Sequence, residues 1–224
     1  MALAGASHDA AAIFEALAAD PAFGQTTIIV PVPEGSAPGG DQLWSASLPD
    51  PGADVTLLIR LIDGLARGDR RLAAPICLLG FGKGARVAQE LAIRHPRRAA
   101  RLCLVSAGWF AMPRPDLPWP YGIGDEAGAV LAGPESPDIP TTVVAGMRDT
   151  RVDPDVPQHA LIHEHQGRNR LRRARCYVRA ASVYAETLGI ARRPALVTGH
   201  GMSPDLRQSV QDGALIEIVA QALL

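Results

Sequence analysis

Two side chains stand where general acid–base chemistry is usually done. Asp149 follows the β-branched run Thr141–Ala145, and His200 follows the run Ala195–Thr198. Each apolar run ends in a glycine, giving Gly146-Met147-Arg148-Asp149 and Gly199-His200-Gly201. A carboxylate beside an imidazole can orient the ring and stabilise its protonated form, so that the ring can take a proton from a nucleophile. Asp153 and Asp155 are competing acids a few residues beyond Asp149. Upstream of both lies a glycine-rich turn, Gly80-Phe81-Gly82-Lys83-Gly84-Ala85, entered from the apolar run Ile76–Leu79. Turn, acid, base is the chain order of a nucleophile–acid–histidine triad on a parallel sheet.

The turn itself admits three readings. Gly80, Gly82 and Ala85 satisfy the dinucleotide pattern G-x-G-x-x-G/A, which would make the chain a nicotinamide-binding oxidoreductase. That pattern also wants an acidic residue at the end of the next strand, where this chain has Leu104-Val105-Ser106. It also belongs on the first strand of a domain, whereas about 75 residues precede it here. The second reading is a G-x-S-x-G nucleophile elbow in which Gly82 holds the serine position. The third is a tight turn that uses glycine for its conformational freedom alone.

The elements that would position these residues follow from periodicity. Strands are expected at Thr27–Val32, Ile76–Leu79, Leu102–Ser106, Thr141–Ala145 and Ala195–Thr198. Helices are expected at about Asp9–Ala19, Asp54–Ala66, Lys83–Arg94, Asn169–Leu188 and Pro204–Leu223. Strand then helix, repeated, predicts an α/β domain with a mostly parallel sheet and helices on both faces. Pro33–Gly52 reads as a long surface connection. The segment Trp109–Pro140 holds seven prolines and reads as an irregular cap. It leaves a strand end directly after Ser106, so Trp109, Trp119 and Tyr121 are candidates to wall a pocket, or to pack as a structural cover.

Taken together, these motifs resemble the α/β-hydrolase esterases of the polyhydroxyalkanoate depolymerase, feruloyl esterase and phospholipase/carboxylesterase type. The resemblance spans nearly the whole chain, 1–224, as one domain. It rests on Leu3-Ala4-Gly5-Ala6-Ser7-His8-Asp9-Ala10 as an oxyanion turn, the Gly80–Gly84 elbow, Ser106-Ala107-Gly108-Trp109, Gly146–Asp149, Gln166–Leu171 and Gly199-His200. It implies a minimal version of the fold with a short N-terminus. It implies Asp149 as the acid, His200 as the base, and the backbone N–H groups of Lys83 and of Ala6 or Ser7 as the oxyanion hole. Two positions depart from the family. Gly82 has no side chain to form an acyl-enzyme, and the histidine of the first turn is Ala4. The expected ligand is a small ester or acyl compound, with no cofactor. Further alternatives stay open: a non-catalytic binding protein, or an active esterase whose serine was replaced by engineering.

Composition narrows the rest. The 224 residues are 47% hydrophobic and 20% charged, enough for a packed core. The formal net charge of −1 carries no global signal for nucleic acid or an anionic membrane. The basic residues are 21 Arg and the single Lys83. No apolar run reaches the ~20 residues of a spanning helix, and no signal-peptide layout opens the chain. A cytoplasmic protein is expected, with a homodimer as the open partner question. Cys77, Cys103 and Cys176 are too scattered for a disulfide framework or a zinc knuckle. His159, His163 and His165 form a local cluster that reads as a loop or helix start before a metal site. The arginines from Arg168 to Arg179 read as a solvated helix face before a nucleic-acid stripe.

Overall fold

The computed structural model describes residues 1–5, 7–32, 53–125, 130–133, 135–154, 156–200, 202, 205–211 and 214–224. Pro33–Gly52, Ala6 and Asp155, each named above, lie outside the described residues.

Five parallel strands run in sequence order across one sheet: β1 (Ala2–Leu3), β2 (Ile76–Phe81), β3 (Ala99–Val105), β4 (Thr141–Gly146) and β5 (Ala195–Gly199). Parallel order with helical crossovers buries both faces, so the strands read as continuous apolar runs. Leu78, Leu104 and Cys103 are accordingly fully buried. The register sets Gly80 beside Leu3, Phe81 beside Val105, Val105 beside Val144, and Gly146 beside Gly199. All carboxyl ends therefore lie along one edge, where open α/β sheets bind their ligands.

Helix α3 (Lys83–Arg94) crosses β2 and β3, with α2 (Ala53–Gly68) beside it. Helix α5 (Arg170–Thr187) packs on β4 and β5. The other layer is α7 (Ala214–Leu223) against β2 and β3, joined by α6 (Leu206–Gln211) and α1 (Ser7–Ala19). Val87, Ala88 and Leu91 put the apolar stripe of α3 on the sheet.

Two expectations are corrected. Thr27–Val32 forms no strand; among the described residues the Ala2 N–H donates to Ile29 O at 2.8 Å, and Ile28 and Val30 pack against the core. A lone bond to a two-residue strand cannot make a ladder. Of the helix expected at Pro204–Leu223, the described residues form two, α6 and α7; Pro204 and residues 212–213 lie outside the described residues. The histidine cluster does lie at a helix start: it belongs to a seven-residue helix, α4 (Ala160–Gln166), capped by His159, whose Nδ1 accepts from Leu161 N–H. Among the described residues, no helix is long and apolar enough to cross a membrane.

Candidate active site

Gly82 sits between β2 and α3 at φ 56°, ψ −115°. L-residues avoid this region, and strained backbone there is characteristic of functional turns. The turn is held by the Gly82 N–H donating to Val105 O at 2.9 Å. Both outer glycines are sterically required. A Cβ on Gly80 would collide with Ala85, and one on Gly84 would be driven into the Leu3 carbonyl. At Gly82, by contrast, an added Cβ meets, among the described residues, only the Gly5 Cα, at 4.0 Å. The turn therefore has the tightness of an elbow and open space where a nucleophile would stand.

The Gly5 turn lies directly over this point. A Cβ on Gly5 would stand 3.0 Å from Phe81 O and 3.3 Å from Lys83 N. The Lys83 N–H and Gly5 are thus neighbours. Of the other two donors named from the sequence, Ala6 is outside the described residues and Ser7 opens α1.

Asp149 is 8% exposed. It closes a tight turn on β4: its N–H donates to Gly146 O at 3.1 Å, and its Oδ2 accepts from Gly146 N–H at 3.3 Å. Burial pushes its carboxyl above the usual carboxylate range; the Gly146 N–H and the Arg170 charge oppose that rise without cancelling it. The competing acid Asp153 is committed elsewhere, to Arg170 Nη2 at 2.6 Å. His200 is exposed at the end of β5, next to β4. Its loop is anchored by Met202, which is 2% exposed. Cβ atoms on Gly146 or Gly199 would both strike Met202. Asp149 and His200 thus follow adjacent strand ends, but among the described residues no hydrogen bond joins them.

The cap candidates are placed differently from the pocket wall expected of them. Trp109 and Trp119 sandwich the Arg86 guanidinium, at 4.8 and 4.7 Å from their ring centres. Arg94 lies over the Trp119 ring at 4.6 Å. On the other side Tyr121 tilts against Trp109 at 5.9 Å and stacks on His159 at 4.5 Å. A cavity of about 50 Å³ lies instead between α3, α5 and the cap, lined by Gln89, Ile93, Ala111, Tyr177 and Tyr184 among others. None of the three cap aromatics lines it.

Several residues that hold the site were not legible beforehand. Gln89 exchanges two hydrogen bonds with the Ala111 backbone, at 3.0 and 2.9 Å. Gln166 does the same with Phe110, at 2.7 and 2.9 Å. Arg173 is fully buried and donates to the carbonyls of Gly108, Gly167 and Pro157. Arg170 donates to Ser106 O at 2.9 Å. Two of the arginines read as a solvated face therefore point inward. The other histidines are engaged locally: His163 Nε2 lies 2.6 Å from Gln158 Oε1, and His165 Nδ1 lies 3.3 Å from Arg114 Nη1.

No protein-family model matches the chain, and no curated protein matches it in sequence. Solved structures do. Poly(aspartic acid) hydrolase-1 from Sphingomonas sp. KT-1 superposes with a TM-score of 0.69 at 18% identity, covering 97% of this chain and 86% of that one. The poly(3-hydroxybutyrate) depolymerase LpqC from Bordetella parapertussis gives 0.72 at 15% identity, covering 97% and 83%. Esterase PE8 gives 0.52 at 16%, covering 99% and 91%. The chain has an α/β-hydrolase fold, in a minimal form with a five-stranded parallel sheet.

Proposed function

We propose that this chain is an esterase-like hydrolase homologue that binds a small ester or acyl compound and has lost the ordinary serine mechanism at Gly82. The observation that carries this reading is the Gly82 backbone, φ 56° and ψ −115°, with open space above it. A turn that merely liked glycine would not also need Gly80 and Gly84 at van der Waals limits and the Gly5 turn overhead. Asp149 and His200, on the next strand ends but one and two, supply the acid and base roles. In this mechanism a nucleophile at 82 would attack the ester carbonyl and His200 would take its proton. The carbonyl oxygen would become an oxyanion facing the Lys83 N–H, and collapse would expel the alcohol.

Without the nucleophile the site can still hold the ester. In a well-studied triad protease, loss of the serine costs about 10⁶ in rate and leaves roughly 10³–10⁴ over water. A water activated by His200 would give turnover of that order, too slow for an ordinary esterase.

A fluorophosphonate, which phosphonylates only activated hydroxyls, tests this. The native chain is expected to stay unlabelled, and Gly82→Ser to gain one probe mass at position 82. His200→Ala in the Gly82→Ser background should abolish the labelling. Labelling of the native chain, or none of Gly82→Ser, contradicts the reading.

A further inference from the structure

The cavity between α3, α5 and the cap lies away from the Gly82 turn. Thr141 opens β4 and Pro194 directly precedes β5, and both line it, so it sits at the amino ends of these strands. Gly82 follows the carboxyl end of β2, at the opposite end of the sheet. Helix α5 turns Tyr177, Ala181 and Tyr184 toward the cavity, at i, i+4 and i+7, and α3 turns Gln89 and Ile93 toward it. A further wall is the short 3₁₀ turn Ser136–Asp138. That wall is tied down on both sides. The Gly133 N–H donates to Ile93 O at 3.1 Å on the α3 side, and Arg192 Nε lies 3.3 Å from Asp138 Oδ1 on the β5 side.

The lining is neutral: among the described residues, no carboxylate, ammonium, guanidinium or imidazole group contributes to it. Two of its polar side chains are engaged by backbone, Gln89 with Ala111 and the Thr141 hydroxyl with Ile139 O at 2.9 Å. The hydroxyls of Tyr184 and Ser136 are not. Among the described residues no protein group bonds either, and both residues are only partly buried. Most of the remaining wall is isoleucine, alanine and proline, and Ile93, Ala111 and Ile123 form an apolar cluster apart from the main core. A volume of about 50 Å³ admits roughly four non-hydrogen atoms, at about 10–15 Å³ for each water-sized body. Each buried water needs two to four polar partners, and this wall offers few. A short alkyl group suits the wall, and one polar atom suits the two hydroxyls.

We propose that this cavity is a binding site for a short aliphatic alcohol, with its alkyl chain against Ile93, Ala111 and Ile123 and its hydroxyl bonded by Tyr184 and Ser136. An alcohol hydroxyl both donates and accepts, so it can give its proton to one of the two and accept from the other. A carboxylate or ammonium of the same length would lose hydration on entry and meet no counter-charge. The site is separate from the Gly82 turn and does not depend on the reading of that turn.

Titration of methyl-labelled protein with 1-propanol, followed by NMR, tests it. The methyl signals of Ile93, Ala111 and Ile123 should shift saturably, and those of Leu3 and Val105, near the Gly82 turn, should not. Tyr184→Phe combined with Ser136→Ala keeps the space and removes both hydroxyls. It should raise Kd about tenfold or more while melting within about 2 °C of the native chain. Ala181→Leu fills the space and should abolish the saturable shifts. Propionate and propylammonium should produce none in the native chain. Several results would overturn the site: no saturable shift at these methyls, saturation at Leu3 and Val105 instead, or equal binding of propionate. A Kd unchanged by the double hydroxyl variant would do the same, leaving only an apolar hole. If Ala181→Leu fails to fold, the double variant and the propionate comparison still decide.

Discussion

At the scale of single residues, glycine decides this site in two different ways. Gly80 and Gly84 are small because backbone lies against them; Gly82 is small where there is room for more. Gly84→Ala should therefore destabilise by roughly 3 kcal/mol or more, since neither the Leu3 carbonyl nor the helix start can yield cheaply. Gly68→Ala, at the open end of α2, should be neutral or stabilise by about 0.5 kcal/mol. Comparable melting temperatures for the two variants in calorimetry would contradict the packing described. Asp149 makes a pH prediction. Burial raises its carboxyl pKa, so the folded chain holds this proton to higher pH than the unfolded chain. The stability it contributes is complete below the unfolded value near 3.8 and is lost as pH rises through the folded value. Asp149→Asn cannot ionise and still accepts from Gly146 N–H. Its melting temperature relative to the native chain should rise from pH 3.5 to pH 7, by about 2 °C or more. A difference independent of pH would show that burial does not dominate this carboxyl.

Between elements, the cap is fixed to the elbow helix by a continuous stack: His159, Tyr121, Trp109, Arg86, Trp119 and Arg94. Glu90 lies within 3.6 Å of Arg86 and 2.9 Å of Arg94, balancing charge beneath the indoles. Buried cation–π contacts contribute up to ~2 kcal/mol each, so Arg86→Met should loosen the cap rather than unfold the chain. Hydrogen exchange should quicken about tenfold across residues 109–125 and stay unchanged in β3 and β4; uniform quickening would contradict a local clamp. Little of this was readable in advance. Periodicity located α3 to the residue, because its apolar stripe faces the sheet through three turns. It could not locate α4, whose buried face is only Ile162 and Gln166. Nor could it show that Gln89 and Gln166 pair with backbone like strand edges, since an amide on a helix usually faces water. Thr27–Val32 has strand composition without a partner to ladder with, and strands exist only in pairs.

For the molecule as a whole, sequence order became spatial order. Five parallel strands numbered across the sheet put the Gly82 turn, Asp149 and His200 just past the carboxyl ends of β2, β4 and β5, and the motifs stayed legible because each sits where a strand stops. The superpositions on two solved structures, at TM-scores of 0.69 and 0.72 and below 20% identity, show the fold. Cross-sheet facts were hidden for the same reason that they matter. The Met202 wedge and the Arg170 link depend on pairs distant in sequence. The central claim is that everything but the nucleophile is in place. The direct measurement is hydrolysis of p-nitrophenyl butyrate by the native chain and by Gly82→Ser, followed from the first turnover. A burst of one equivalent of p-nitrophenol and sustained turnover from Gly82→Ser alone, at least ~10³-fold above the native chain, is the expected result. Equal rates from the two chains, whether fast or absent, would contradict it.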